Sequence, residues 1–98
     1  MSARWQQASD GRVAFEGALT RETVPELWQQ HDQWLQAEET LIIDLGAVEH
    51  VDSAGVALLI EAKVSLEKQQ KQVQFENVSK QCRDIASVSG VAALLSLS

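Results

Sequence analysis

Ile42-Ile43-Asp44-Leu45-Gly46-Ala47-Val48-Glu49-His50-Val51-Asp52-Ser53-Ala54-Gly55-Val56-Ala57-Leu58-Leu59 is the stretch that decides the fold. It begins inside Thr40 to Leu45, a short and nearly continuous apolar run. Such a run reads as a central strand covered on both faces. Gly46 to Asp52 reads as a loop. Asp52 and Ser53 are both good N-cap residues, so a helix is predicted to open at Ser53 and run to about Gln70. Gly55 falls in its first turn, where the missing side chain lets another backbone come close.

Downstream of this junction, Val73 to Val78 alternates cleanly between apolar and polar residues, the period of a strand. Ser79 caps a third helix that ends at Ser89, with Gly90 as its stop. The tail, Val91 to Ser98, is apolar enough to dock as a short helix or strand. Upstream, Ser9-Asp10-Gly11 reads as a turn between extended pieces at Arg4–Ala8 and Arg12–Glu16, and Gly17 ends the second. A helix then starts at Thr23. Thr23 and Glu26 form a capping box, and Pro25 sits in the first turn, where its missing N–H is not needed. Val24, Leu27, Trp28, His31, Trp34 and Leu35 continue it as one stripe. The predicted order is β-β-α-β-α-β-α: an α/β fold with a small mixed sheet and helices packed on it.

The helix opening at Ser53 is apolar nearly all round in its first half. Leu59, Ala62 and Leu66 share one face and are expected on the sheet. Val56 and Ile60 project roughly 100° or more away from that face. For Ile60 the expected cover is a neighbouring helix; for Val56, nearer the loop, it is a partner. Trp28 lies at the edge of its stripe, and tryptophan is over-represented among interface hot spots. Trp34 is expected in the core.

Composition narrows the function. The chain has 98 residues, 45% of them hydrophobic and 22% charged, which is one soluble domain's worth. The net charge of -6 opposes a polyanion partner such as DNA, RNA or an anionic membrane face, so no nucleic-acid partner and no direct membrane insertion are expected. The longest apolar run, Val56 to Ile60, is far short of the ~20 residues needed to cross a bilayer. The N-terminus lacks the apolar stretch of a signal peptide, and a lone cysteine, Cys82, fits a reducing compartment; the expected location is cytoplasmic. There is no Gly-rich phosphate loop, His31 and His50 are isolated, and Glu38-Glu39 reads as a solvated helix end. No catalytic residue, metal site or cofactor is expected, and the chain is read as a non-enzyme.

The strand ending in Asp44-Leu45, the Val51-Asp52-Ser53-Ala54-Gly55-Val56 stretch and the element order together resemble the STAS domain family over nearly the whole chain, taken as one domain, residues 1–98. The family takes its name from sulphate transporters and anti-sigma factor antagonists. In its signalling branch the serine after the aspartate is phosphorylated, and Ser53 is the matching residue. A narrower resemblance, carried by Trp5, Gly17-Ala18-Leu19, Pro25-Glu26-Leu27-Trp28 and the junction itself, is to the branch that serves a bacterial ABC system moving phospholipids to maintain outer-membrane lipid asymmetry. That branch can carry Thr at the Ser53 position, which favours a contact role. The resemblance implies a regulatory module that binds the cytoplasmic ATPase subunit, and through it the membrane permease, by way of Trp28, Asp52, Ser53, Ala54, Gly55 and Val56. The alternative it leaves open is an anti-sigma factor antagonist switched by phosphorylation of Ser53.

Overall fold

In the computed structural model, which describes residues 2–96, the chain opens with a hairpin of β1 (Ala3–Ser9) and β2 (Arg12–Leu19), paired antiparallel. Gly11 makes the turn at φ +72°, a conformation that favours glycine. Two short helices follow, α1 (Val24–Gln29) and α2 (His31–Trp34). Then come β3 (Thr40–Val51), α3 (Ser53–Glu67), β4 (Gln72–Glu76) and α4 (Lys80–Val88). The sheet order is β1-β2-β3-β4, with β3 parallel to both neighbours, so the order and mixed sheet read from the sequence are those observed.

Alternation along the strands sorts the two faces of the sheet. Val13, Phe15, Leu41, Ile43 and Leu45 are buried and join Leu27, Trp34, Leu59, Ala62, Leu66, Cys82 and Ala86 of the helices in one core. The residues between them, Arg12, Ala14, Ile42 and Asp44, are only half-buried. β3 is therefore central by pairing but covered on one face. The open face carries charge: Arg12 pairs with Glu76 across β2 and β4, and Asp44 accepts from Asn77 Nδ2 at 3.0 Å.

Several local expectations change. Gly46 to Val51 is strand, not loop. β3 continues along β2 through Glu16↔Ala47, Gly17↔Val48, Ala18↔His50 and Leu19↔Val51, with irregularities at Ala14/Glu16 and Gly17/Ala18. This half of β3 lies beyond the end of β4, and its side chains are mostly exposed, so it lacks the apolar signature on which the reading relied. Gly17 does not end β2; it sits inside it at φ +89°, where a Cβ would collide with the Ser2 carbonyl oxygen. The first helix is two helices, because the chain breaks regular helix at Gln30 (φ -98°, ψ 9°). The Gln30 side chain accepts from Trp5 Nε1 at 2.7 Å, which ties the break to β1. In the tail Leu95 is buried, while residues 97–98 lie outside the described residues.

Candidate functional site

The junction between β3 and α3 is built around one carboxylate. Asp52 is the N-cap of α3 with extended backbone (φ -119°, ψ -170°). Its Oδ1 accepts from Ala54 N at 2.8 Å and from Gly55 N at 3.3 Å, in the first turn, where amides lack the usual partner four residues back; Gly55 N also donates to Asp52 O at 3.0 Å. Its Oδ2 accepts from Arg21 N at 3.1 Å, across to the segment that leads into α1. Partial desolvation works against the charge. The three amides and the Arg21 guanidinium outweigh it and hold the carboxyl below its ordinary 3.8. The backbone just before it is also fixed: Asp52 N donates to Leu19 O at 3.1 Å and Val51 N to Gln81 Oε1 at 2.9 Å.

The next residues divide by packing. Ser53 is exposed and Ala54 half-buried, so both can be touched from outside. Gly55 is buried. A Cβ there would meet Leu19 O at 2.5 Å, Leu19 Cβ at 2.8 Å and Val51 Cγ1 at 2.9 Å, so it is the close-approach glycine that seats α3 on the ends of β2 and β3. Val56 is 3% exposed and part of the core. The expectation that Gly55 and Val56 face a partner is corrected: both are closed inside the fold, and they can serve docking only by holding the helix in place. Ile60, for which a neighbouring helix was the expected cover, is half-buried and packs against the edge of the core.

The outward face of α3 continues from Ser53. Ala57 and Val64 are exposed, and Ile60 is half-buried between them at the edge of the core. Ser53, Ala57, Ile60 and Val64 follow one another at spacings of four, three and four, which at about 100° per residue keeps them on one narrow stripe. It is small at the Ser53 end and apolar toward the Val64 end. Leu58, Leu59, Ala62 and Leu66 take the opposite side into the core. The sequence marks the first half of this helix as apolar nearly all round, but that pattern does not single out Ala57 and Val64. The four-three-four spacing was the signal available.

Trp28 is half-buried on α1, which packs against α3 and β1. Its ring stacks on His31 at a centroid distance of 4.3 Å and 10°, and meets Trp34 edge-on at 5.9 Å. His31 Nδ1 donates to Trp28 O at 2.7 Å, so the imidazole braces the indole. Trp34 is 2% exposed, with its Nε1 donating to Leu27 O at 3.0 Å. Burial pushes the Cys82 thiol above its ordinary pKa, which leaves it an unreactive core residue. Among the described residues no group of three His, Cys, Asp or Glu side chains comes together as a metal site, and no helix is long and apolar enough to cross a membrane.

A family model described as Mlab, STAS domain, matches residues 2–96. A search of the curated proteins finds no match. Among solved structures, the anti-sigma factor antagonist SpoIIAA in its unphosphorylated form aligns with a TM-score of 0.66 and 19% identity, over 87% of this chain and 81% of that one. A sulfate transporter family protein from Wolinella succinogenes aligns at 0.67 and 20%, over 92% and 75%. The murine anion transporter Slc26a9 aligns at 0.65 and 22%, over 89% of this chain and only 15% of the transporter. At these identities the likeness is one of fold.

Proposed function

This chain belongs to the MlaB-type STAS domain family, and on that footing we propose that it is a non-enzymatic accessory subunit that binds the cytoplasmic ATPase of a phospholipid-transporting ABC complex and supports its assembly or activity. The observation that carries the reading is the exposed Ser53 on a rigidly capped helix start, continuous with the stripe of Ala57, Ile60 and Val64. Ser53 and Ala54 make the first contact, Asp52 fixes their position, and Trp28 extends the surface from α1. Docking acts as a coupling free energy, by favouring an ATPase state competent for turnover; such couplings are typically about 1–3 kcal/mol. The permease is reached only through the ATPase, with no insertion of this chain into the bilayer.

The test is co-purification with the ATPase, together with its hydrolysis rate. Ser53→Glu and Val64→Glu each place a charge on the stripe and weaken binding at least about tenfold, or about 1.4 kcal/mol; Trp28→Ala weakens it less. The circular dichroism of all three stays that of the parent. Unchanged retention by both glutamate variants removes the stripe as the interface.

One observation favours a second reading. The serine is exposed at a helix N-terminus, where a phosphate is tolerated by the dipole yet adds roughly two negative charges to the surface. The similar fold of SpoIIAA, an anti-sigma factor antagonist with an unphosphorylated form, suggests the corresponding switch at Ser53. Affinity capture from native cells separates the two: an ABC ATPase supports the first reading, a serine kinase the second.

A further inference from the structure

β4 is the last strand on its side of the sheet, so one of its edges faces no strand. Gln72 N donates to Glu39 O at 2.8 Å, on the β3 side. Backbone groups alternate in direction along a strand, so Val73 and Phe75 aim their N–H and C=O away from β3. Among the described residues none bonds to them on that side. Beside this edge runs an open groove of about 500 Å³, lined by Lys63, Glu67, Val73, Phe75 and Leu95. Edge strands are usually blunted by a lysine, a proline or a bulge. Gln72–Glu76 has no lysine or proline, and its pairing with β3 is regular.

We propose that β4 pairs antiparallel with β4 of a second copy, across a two-fold axis at Gln74. Five residues, Gln-Val-Gln-Phe-Glu, make this register self-complementary. With Gln74 opposite Gln74, Val73 falls opposite Phe75 of the second copy and Phe75 opposite its Val73. These are the two residues whose backbone groups point outward, so each pair exchanges both of its hydrogen bonds. A β-branched residue facing an aromatic is also a favourable cross-strand pair. A shift by one residue would place inward-pointing groups opposite outward ones and lose the ladder. In this register Glu76 falls opposite Gln72 and Lys71 opposite Asn77 of the second copy, so no like charges face one another. The contact uses the same surface on both copies, so it closes at a dimer. Neither Ser53 nor Trp28 lines the groove, so the pairing does not use the residues proposed to make first contact with the ATPase.

Sedimentation equilibrium of the full chain tests this. Between roughly micromolar and millimolar loading, the weight-average mass rises from the monomer toward twice that value. Each copy carries -6, so added salt strengthens the association by screening repulsion. Gln74→Lys sets like charges face to face on the axis and weakens dimerisation at least roughly tenfold, whereas Gln6→Lys on β1 does not. Gln74→Cys gives a disulfide-linked dimer on mild oxidation, since a non-hydrogen-bonded antiparallel pair lies about 4.5 Å apart at Cα, within disulfide reach; Cys82 is buried and does not compete. A parent chain that stays monomeric throughout, a Gln74→Lys chain that associates as well as the parent, or a Gln74→Cys chain that fails to cross-link overturns the proposal.

Discussion

The molecule has two helix starts that look alike in sequence and behave differently in the fold. Thr23 and Asp52 each precede a helix and each is a residue type that caps helices. Asp52 does so, accepting from two amides of its own helix and one from Arg21. Thr23 makes no cap hydrogen bond. Its hydroxyl instead accepts from Thr20 N at 2.9 Å and donates to Ala18 O at 2.6 Å, which fastens the end of β2 to the turn before α1. The difference follows from burial. Thr23 is 6% exposed and lies among backbone groups that have no access to water, so its hydroxyl goes to them. Asp52 sits at the surface, where the nearest unmet donors are those of its own helix. One start became an internal clasp; the other became a rigid and accessible edge.

Substitutions can break that contrast in order of size. Gly55→Ala should be the most damaging, at about 3 kcal/mol, because the new Cβ collides with the Leu19 carbonyl and pushes α3 off β2; urea denaturation measures it. Thr23→Val keeps the shape but strands a buried amide and a buried carbonyl. It should cost about 2 kcal/mol in the same experiment, more than the loss of an ordinary cap. A cost under about 0.5 kcal/mol would mean the hydroxyl is not a clasp.

Asp52→Ala should cost about 1 kcal/mol. Asp52→Asn refines this, because asparagine also caps but carries no charge. The folded-state pKa of Asp52 lies below the ordinary 3.8, so its ionised cap contributes stability above that range and loses it as pH falls through it toward the lowered value. Asp52→Asn should therefore flatten the acid limb of the stability–pH curve while changing neutral stability little. Asp44 is also held low, first by Asn77, then by the Gly46 amide and Arg12, against desolvation, so part of the acid dependence should survive. The smallest stability effect belongs to Ser53→Glu, within about 0.5 kcal/mol, since an acidic residue suits the first turn of a helix. Its proposed effect lies in partner binding.

The clasp and the cap also mark what could be read from residues alone. The strand periods, the helix opening at Asp52-Ser53, the glycine needed for close approach and the mixed parallel order all follow from patterns within about twenty residues, where local physics acts. The extra half of β3 was not legible, because a ladder needs only backbone donors and acceptors and leaves no mark on side chains such as Glu49 and His50. The break at Gln30 was not legible either, since it coincides with a hydrogen bond from Trp5, 25 residues away in sequence.

Sequence by itself determined the family, the element order and the place of the junction, because apolar spacing and cap chemistry are written along the chain. Only the tertiary structure decided which side of that junction faces out. Val56 and Ile60 are equally apolar, and helical geometry alone did not say how far the rest of the fold would cover each; packing took Val56 fully into the core and left Ile60 half-buried at its edge, on the side of Ser53. That choice belongs to neighbours distant in sequence.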